Sequence, residues 1–378
     1  MGAVLLALAI ANSRFGAAYQ DLLLRDLRLG IAPLTLHKDV LHWVNDGLMA
    51  VFFLLVGLEI KRECLAGDLN TPRRALLPAI GALGGMLVPA LVYLLCVRAR
   101  SQLLAGWPIP TATDIALALG VLALAGRGLP ASLRIFLLAL AVIDDLGAIV
   151  LIAALFTEDL SWLALLLAAL CLVSLLLLNR CGVVRLTPYL LTGLVLWVSV
   201  LKSGVHATLA GVALGLAIPL ARTGQPGRAA ALEHALHPWV AFGILPVFAL
   251  ANAGVPLSQL DARVLLHPVT VGIAGGLLLG KLVGVFCFTA VALRLGVGEL
   301  PAEIGWRHLF GVALLTGIGF TMSLFLGALA FPDDSLHGPV RVGVLLGSVC
   351  AAVAGACWLR LAARHTDGKA VARRRDGA

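Results

Sequence analysis

Ile135-Phe-Leu-Leu-Ala-Leu-Ala-Val-Ile-Asp144-Asp145-Leu-Gly-Ala-Ile-Val-Leu-Ile-Ala153 is an apolar run with two adjacent acids near its centre. A helix of about 20 such residues crosses the hydrocarbon of a bilayer, so the run is long enough to span. An ionised Asp at the centre of such a helix costs about 2.5–3.5 kcal/mol. A chain that keeps two of them there is using them. Helical neighbours point about 100° apart, so Asp144 and Asp145 face different surroundings. One can line a wet cavity while the other meets a partner on an adjacent helix.

The rest of the chain has the same apolar character. Of 378 residues, 61% are hydrophobic and only 13% charged, with a mean hydropathy of +1.02. A soluble fold of this length needs more polar surface, so the composition predicts an all-α polytopic membrane protein. Outward from the aspartates, apolar runs cover Leu41–Leu58, Leu76–Val97, Ile109–Ala125, Leu160–Leu178, Tyr189–Leu201, Val205–Leu220, Trp239–Ala253, Val269–Leu293, Leu309–Phe331 and Val340–Leu361. With the short run Met1–Ala11 this makes about twelve transmembrane helices. That first run lacks a basic leader and an A-x-A cleavage signal, and reads as an abbreviated helix rather than a signal peptide. Leu27–Leu36 alternates around Gly30 and Pro33, which predicts a small exposed β-hairpin. The runs flanking Lys202-Ser203-Gly204 are short and predict a tight helical hairpin.

The net charge of +8 does not point to nucleic acid, because the basic residues sit in short loops and a tail ending in Arg373, Arg374 and Arg375. Lys61, Arg62, Arg73, Arg74, Arg127, Arg134, Arg180, Arg185, Arg222, Arg228, Arg294 and Arg307 fall in one set of alternate loops. The other set holds roughly half as many, including Arg98, Arg100, Lys202 and Arg263, with four more basic residues in the Asn12–Asp39 stretch. The richer set marks the cytoplasmic side and puts both termini there. None of the seven cysteines makes a CxxC pair, so they read as free thiols packed as small hydrophobes.

Three further stretches carry chemistry. Trp107-Pro108-Ile-Pro110-Thr111-Ala-Thr113-Asp114 sets prolines, threonines and an acid at the entry of an apolar run, the makings of an unwound segment at membrane depth; an interfacial N-cap is the plainer alternative. Leu315-Thr316-Gly317-Ile-Gly319-Phe320-Thr321-Met-Ser323 offers a second break, around 309–331, or close helix packing through glycine. Two interrupted helices in separate halves point to inverted repeats around a midplane site. Lys281 is buried in apolar sequence on both sides and needs a carboxylate or gives up its proton; Asp144 or Asp145 is the obvious partner. Asp114 and Lys281 have the right signs to offset the exposed ends of broken helices. Towards the cytoplasm lie Glu59, Glu63, Glu233, His234 and His237, the two histidines at i, i+3 and able to titrate near neutrality. His206 sits at the tight helical hairpin.

Taken together, Phe52–Glu63, Thr111–Asp114, Ile143–Ala148, Leu201–Leu209, Leu232–Trp239, Gly280-Lys281 and Gly317–Ser323 resemble, in order along almost the whole chain, the NhaA-type sodium/proton antiporters of bacterial inner membranes. The resemblance implies one transmembrane domain over 1–378, with core repeats at about 76–155 and 269–361, an interface part at about 1–65 and 188–253, and a basic cytoplasmic tail over 362–378. It implies Na+ (or Li+) binding at Asp145 and Asp144 with Asp114 and Thr113 close by, and Lys281 as the charge-compensating partner of Asp144. It assigns pH sensing to Glu59, Glu63, Glu233, His234 and His237, to which we add His206. It also implies a homodimer through the 27–36 hairpin, with membrane lipid around it, no cofactor and no enzymatic activity. One departure is Leu282, where relatives often have Pro.

The mechanism expected is alternating access, in which the carboxylates hold either the cation or protons. Moving more protons inward than sodium ions outward makes the exchange electrogenic. Two other classes fit the residues less well. An intramembrane aspartyl protease needs acids on two helices and has no use for Lys281. Another cation/proton carrier or an organic-anion carrier on the same fold is the nearer alternative, but an anion site calls for basic lining rather than three acids.

Overall fold

Where no water reaches the backbone, its polar groups must be satisfied within the segment, and the apolar runs accordingly form helices. The computed structural model describes residues 2–29, 36–67, 69–98, 100–125, 129–157, 160–220, 228–256, 261–301, 303–331 and 336–375. The hairpin tip at 30–35, Arg127 and Arg222 lie outside these. Among the described residues, seven helices are long and apolar enough to cross a membrane. Three bent pairs and two shorter apolar helices, Leu186–Leu201 and Thr208–Ala217, bring the apolar segments to twelve. A two-stranded antiparallel sheet pairs Asp26–Leu29 with Leu36–Asp39.

The chain divides into two units, Met1–Leu65 with Ile149–Leu260 and Ala66–Ala148 with Asp261–Ala378. The first holds the sheet and the helices Val40–Leu65, Trp162–Arg180, Leu186–Leu201, Thr208–Ala217 and Arg228–Asn252. Val40–Leu65 and Thr208–Ala217 lie backbone to backbone: a Cβ at Gly57 would stand 2.8 Å from the Val212 carbonyl, and one at Gly215 2.8 Å from that of Leu54. Gly204, at φ +82°, makes the turn into Thr208–Ala217, the tight helical hairpin expected. Trp162–Arg180 turns Leu163, Leu166, Leu170, Val173 and Leu177 outward, as lipid allows.

The second unit repeats one order of segments. A long helix (Pro72–Val97), an interrupted segment (Ser101–Thr111 with Ile115–Ala125) and the helix that begins at Ala131 are followed later by Pro268–Arg294, a second interrupted segment (Trp306–Leu315 with Phe320–Ala330) and the helix that begins at His337. The interrupted segments bend by 47° and 43°. The long helices of the two sets cross at glycine: a Cβ at Gly284 would stand 2.6 Å from the Gly84 carbonyl carbon.

Several elements differ from expectation. A short helix, Gly16–Leu23, lies within the Asn12–Asp39 stretch and is bent 111° from Gly2–Ala11. The helix expected from Trp239 begins at Arg228, so Glu233, His234 and His237 are helical. The last helix continues to Arg375, through most of the expected tail. Three π-helical turns, Val44–Leu48, Val240–Ile244 and Gly276–Gly280, interrupt otherwise regular helices. The cysteines are free, but six of the seven are exposed rather than packed inside.

Candidate ion-binding site

Asp144 and Asp145 lie near the middle of Ala131–Leu155, and both are buried. Lys281, near the middle of Pro268–Arg294, is fully buried, and its Nζ donates to Asp144 Oδ2 at 2.7 Å. The charge of Asp145 also acts on this ammonium. Asp144 Oδ1 makes no hydrogen bond of ordinary geometry, although the Thr113 hydroxyl and amide lie near enough to interact with the carboxylate. The Gly276–Gly280 π-turn ends at Lys281 and rests against proline: a Cβ at Gly280 would stand 2.6 Å from Pro89 Cα and one at Gly276 2.7 Å from Pro110 Cβ.

Beside this pair the two interrupted segments are sewn together through their breaks. The Asp114 amide donates to the Ile318 carbonyl at 2.6 Å, and Thr113 Oγ1 donates to the Thr316 carbonyl at 2.9 Å. Ser323 Oγ donates to the Ile109 carbonyl at 2.8 Å. The Asp114 carboxylate accepts from the Leu117 amide at 3.0 Å through Oδ1, and through Oδ2 from the Thr321 amide at 3.1 Å and its hydroxyl at 2.5 Å. One carboxylate thus caps the first turns of both Ile115–Ala125 and Phe320–Ala330, where the helix ends carry positive partial charge. Thr316, Thr321 and Ser323 lie in the second break and are not among the site residues expected from the sequence. Their hydroxyls belong to the same network.

A second cluster closes one end of the first unit. Arg62 donates to Glu63 Oε1 at 2.8 Å and to Glu233, and Glu59 lies within range of all three charges. Lys61 Nζ donates to the Leu216 and Ile218 carbonyls at 2.8 and 2.6 Å, capping the end of Thr208–Ala217. Arg62 and Lys61 were not anticipated as members, since charged helix ends give no signal of their own. His234 and His237 are exposed on the Arg228–Trp239 helix. His206 is not with them: it precedes the opposite end of Thr208–Ala217, a helix about 15 Å long, and stacks edge-on against Phe156 at 6.4 Å.

Hard oxygen ligands buried beside a fixed ammonium suit a small monovalent cation or protons. The comparisons with known proteins agree with that chemistry. The family model described as Na+/H+ antiporter 1 matches residues 1–359. A Rhodospirillum rubrum protein named Na(+)/H(+) antiporter NhaA is 56% identical over 375 residues, covering 97% of this chain and 94% of its own. Proteins of the same name from Pseudomonas putida (strain GB-1) and Mesorhizobium japonicum are 55% and 54% identical over 96% of the chain, and the chain spans 94% and 91% of them. With its aspartates and lysine set among two interrupted helices, and with likeness running along nearly its full length, the chain belongs to the Na+/H+ antiporter 1 family.

Proposed function

We propose that this sodium/proton antiporter binds Na+, or Li+, at Asp144 and Asp145 and releases it in exchange for protons at the same carboxylates. The observation that carries this reading is the Lys281–Asp144 pair at 2.7 Å, buried beside Asp145 where the two interrupted segments meet. Ionised carboxylates offer oxygen ligands to a cation, and protonated ones do not, so cation and protons exclude each other. Alternate exposure of the pair to the two sides of the membrane then couples sodium export to proton entry. A cation reaching Asp144 through Oδ2 competes with the Lys281 ammonium. Asp114 gives its lone pairs to three donors on two helix ends and acts here as the compensating charge of the breaks, with Thr113 bridging to the second segment.

The finer assignments are part of the same proposal. The Arg62–Glu63–Glu233 cluster with Glu59 supports a pH-sensing role at the cytoplasmic entrance, and the exposed His234 and His237 lie on the helix that supplies Glu233. His206 belongs to a separate place in that scheme. The basic residues of alternate loops support cytoplasmic termini in a bacterial inner membrane. The repeated order of segments supports core repeats at about 76–155 and 269–361, an interface part at about 1–65 and 188–253, and the paired strands at Asp26–Leu29 and Leu36–Asp39 support a dimer contact there.

The test is sodium-induced proton release in everted membrane vesicles. Asp145→Asn is expected to abolish it while the protein still inserts. Robust exchange by that variant overturns the site assignment.

A further inference from the structure

The helix Phe320–Ala330 starts behind Gly319, which has no side chain to cap it, so its first amides must find acceptors elsewhere. Thr321 finds the Asp114 carboxylate. The amide of Phe320 donates instead to Ser348 Oγ at 3.1 Å, from the C-terminal helix His337–Arg375. Both partners are buried, with Ser348 4% exposed. One helix start is thus capped in trans by two residues from two other elements, one charged and one neutral. The residue before Ser348 faces another way: a Cβ at Gly347 would stand 3.0 Å from Leu277 Cβ and 3.1 Å from Ala274 Cα. Leu277 belongs to the π-turn that ends at Lys281. The Gly347-Ser348 step therefore touches the two elements that hold the site's charges, the π-turn before Lys281 on one side and the helix start capped by Asp114 on the other.

We propose that Ser348 is a positioning residue for the exchange reaction: by capping Phe320 it holds the start of Phe320–Ala330, and with it the Asp114 carboxylate, in register with the π-turn that presents Lys281 to Asp144. This rests on the carboxylate site described above. Without the hydroxyl the buried Phe320 amide loses its Ser348 acceptor. A buried unpaired donor is costly, and the helix start is expected to relieve it by shifting or by drawing Asp114 from Thr321.

The test compares Ser348→Ala with Ser348→Thr, which keeps the hydroxyl, in proteoliposomes. Ser348→Ala is expected to raise the apparent KM for Na+ by about fivefold or more and to displace the pH profile of exchange, with Ser348→Thr close to the parent in both. Hydrogen exchange read at the Phe320 amide is expected to quicken in Ser348→Ala alone. This amide readout does not depend on which acids bind the ion, so it separates the cap from the site assignment tested by Asp145→Asn. An unchanged Phe320 amide in Ser348→Ala overturns the cap. A quickened amide with unchanged KM and pH profile overturns the positioning role. Equal impairment of the Ala and Thr variants also overturns it, by assigning the effect to packing.

Discussion

Lys281 is the one Lys or Arg fully buried among the described residues, and its partner is an acid buried equally deeply. Removing one member of such a pair leaves an uncompensated charge, which costs on the order of 3–5 kcal/mol where the site cannot rehydrate. Lys281→Ala is therefore expected to lower the melting temperature in detergent and to shift the pH profile of exchange. Adding Asp144→Ala is expected to recover part of the melting loss, since the second change removes the orphaned charge. A Lys281→Ala protein with unchanged melting and unchanged pH profile refutes the pairing. At this scale the charged residues were legible because each is conspicuous in an apolar run, although the sequence left Asp144 and Asp145 equal as partners for Lys281 and only the resemblance singled out Asp144. Thr321 and Ser348 were not: a hydroxyl costs little in a transmembrane helix, so its presence says nothing about whether it is bonded across to another one.

The close crossing of Pro72–Val97 with Pro268–Arg294 depends on having no side chain at Gly84 and Gly284. A Cβ at Gly284 would meet the Gly84 carbonyl carbon at 2.6 Å and Val88 Cβ at 3.1 Å, and the backbone cannot move aside as a flexible side chain would. Gly284→Ala is expected to destabilise by about 1–3 kcal/mol through overpacking. Gly120→Ala, where nothing lies within 4 Å, is expected to be neutral or stabilising by up to about 1 kcal/mol; equal melting of the two variants contradicts the crossing. A pH-dependent cap sits at the start of Pro268–Arg294, where His267 Nδ1 accepts from the Val269 amide at 3.3 Å. Burial and then the Arg100 charge hold this imidazole below its ordinary value of 6.5, so the neutral ring is the favoured form in the fold. The cap is therefore fully present above about pH 6.5 and is lost as pH falls through the lowered folded value, because protonation takes the accepting lone pair. Amide exchange over Val269–Val271, corrected for intrinsic rate, is expected to quicken between about pH 7 and pH 5 in the parent but not in His267→Asn, whose amide oxygen caps at either pH. Helix existence was legible from apolar runs, and the two breaks from Pro, Gly and Thr clusters. The π-turns were not, since an extra residue in a turn leaves composition and periodicity almost unchanged. The Gly16–Leu23 helix was missed because its residues alternate too little to separate it from a loop.

At the scale of the whole molecule the question is what charge the exchange carries across the membrane. Asp114 is offset by the two helix starts it caps, each worth roughly half a positive charge. Asp144, Asp145 and Lys281 remain, and with both acids ionised they sum to one negative charge. One bound Na+ brings the site to neutrality. Protons on both acids would leave it one charge positive, so under the proposed site the two loaded forms differ by one charge and their exchange is expected to move charge across the membrane. Moving one charge through 100 mV is worth about 2.3 kcal/mol, enough at equal pH to support a sodium gradient on the order of 50-fold. In proteoliposomes with no initial sodium or pH gradient, a potassium diffusion potential set by valinomycin, negative inside, is therefore expected to drive sodium out and protons in. The direction is expected to reverse with the sign of the potential. If Asp144 instead stays ionised against Lys281 throughout the cycle, one proton replaces one sodium ion, the exchange is neutral, and the potential drives nothing. The composition and order of the chain reveal a carrier with acids in its membrane core; the charge count needs the contacts, because only they separate Asp114, which serves helix ends, from Asp144, which is bonded to the lysine.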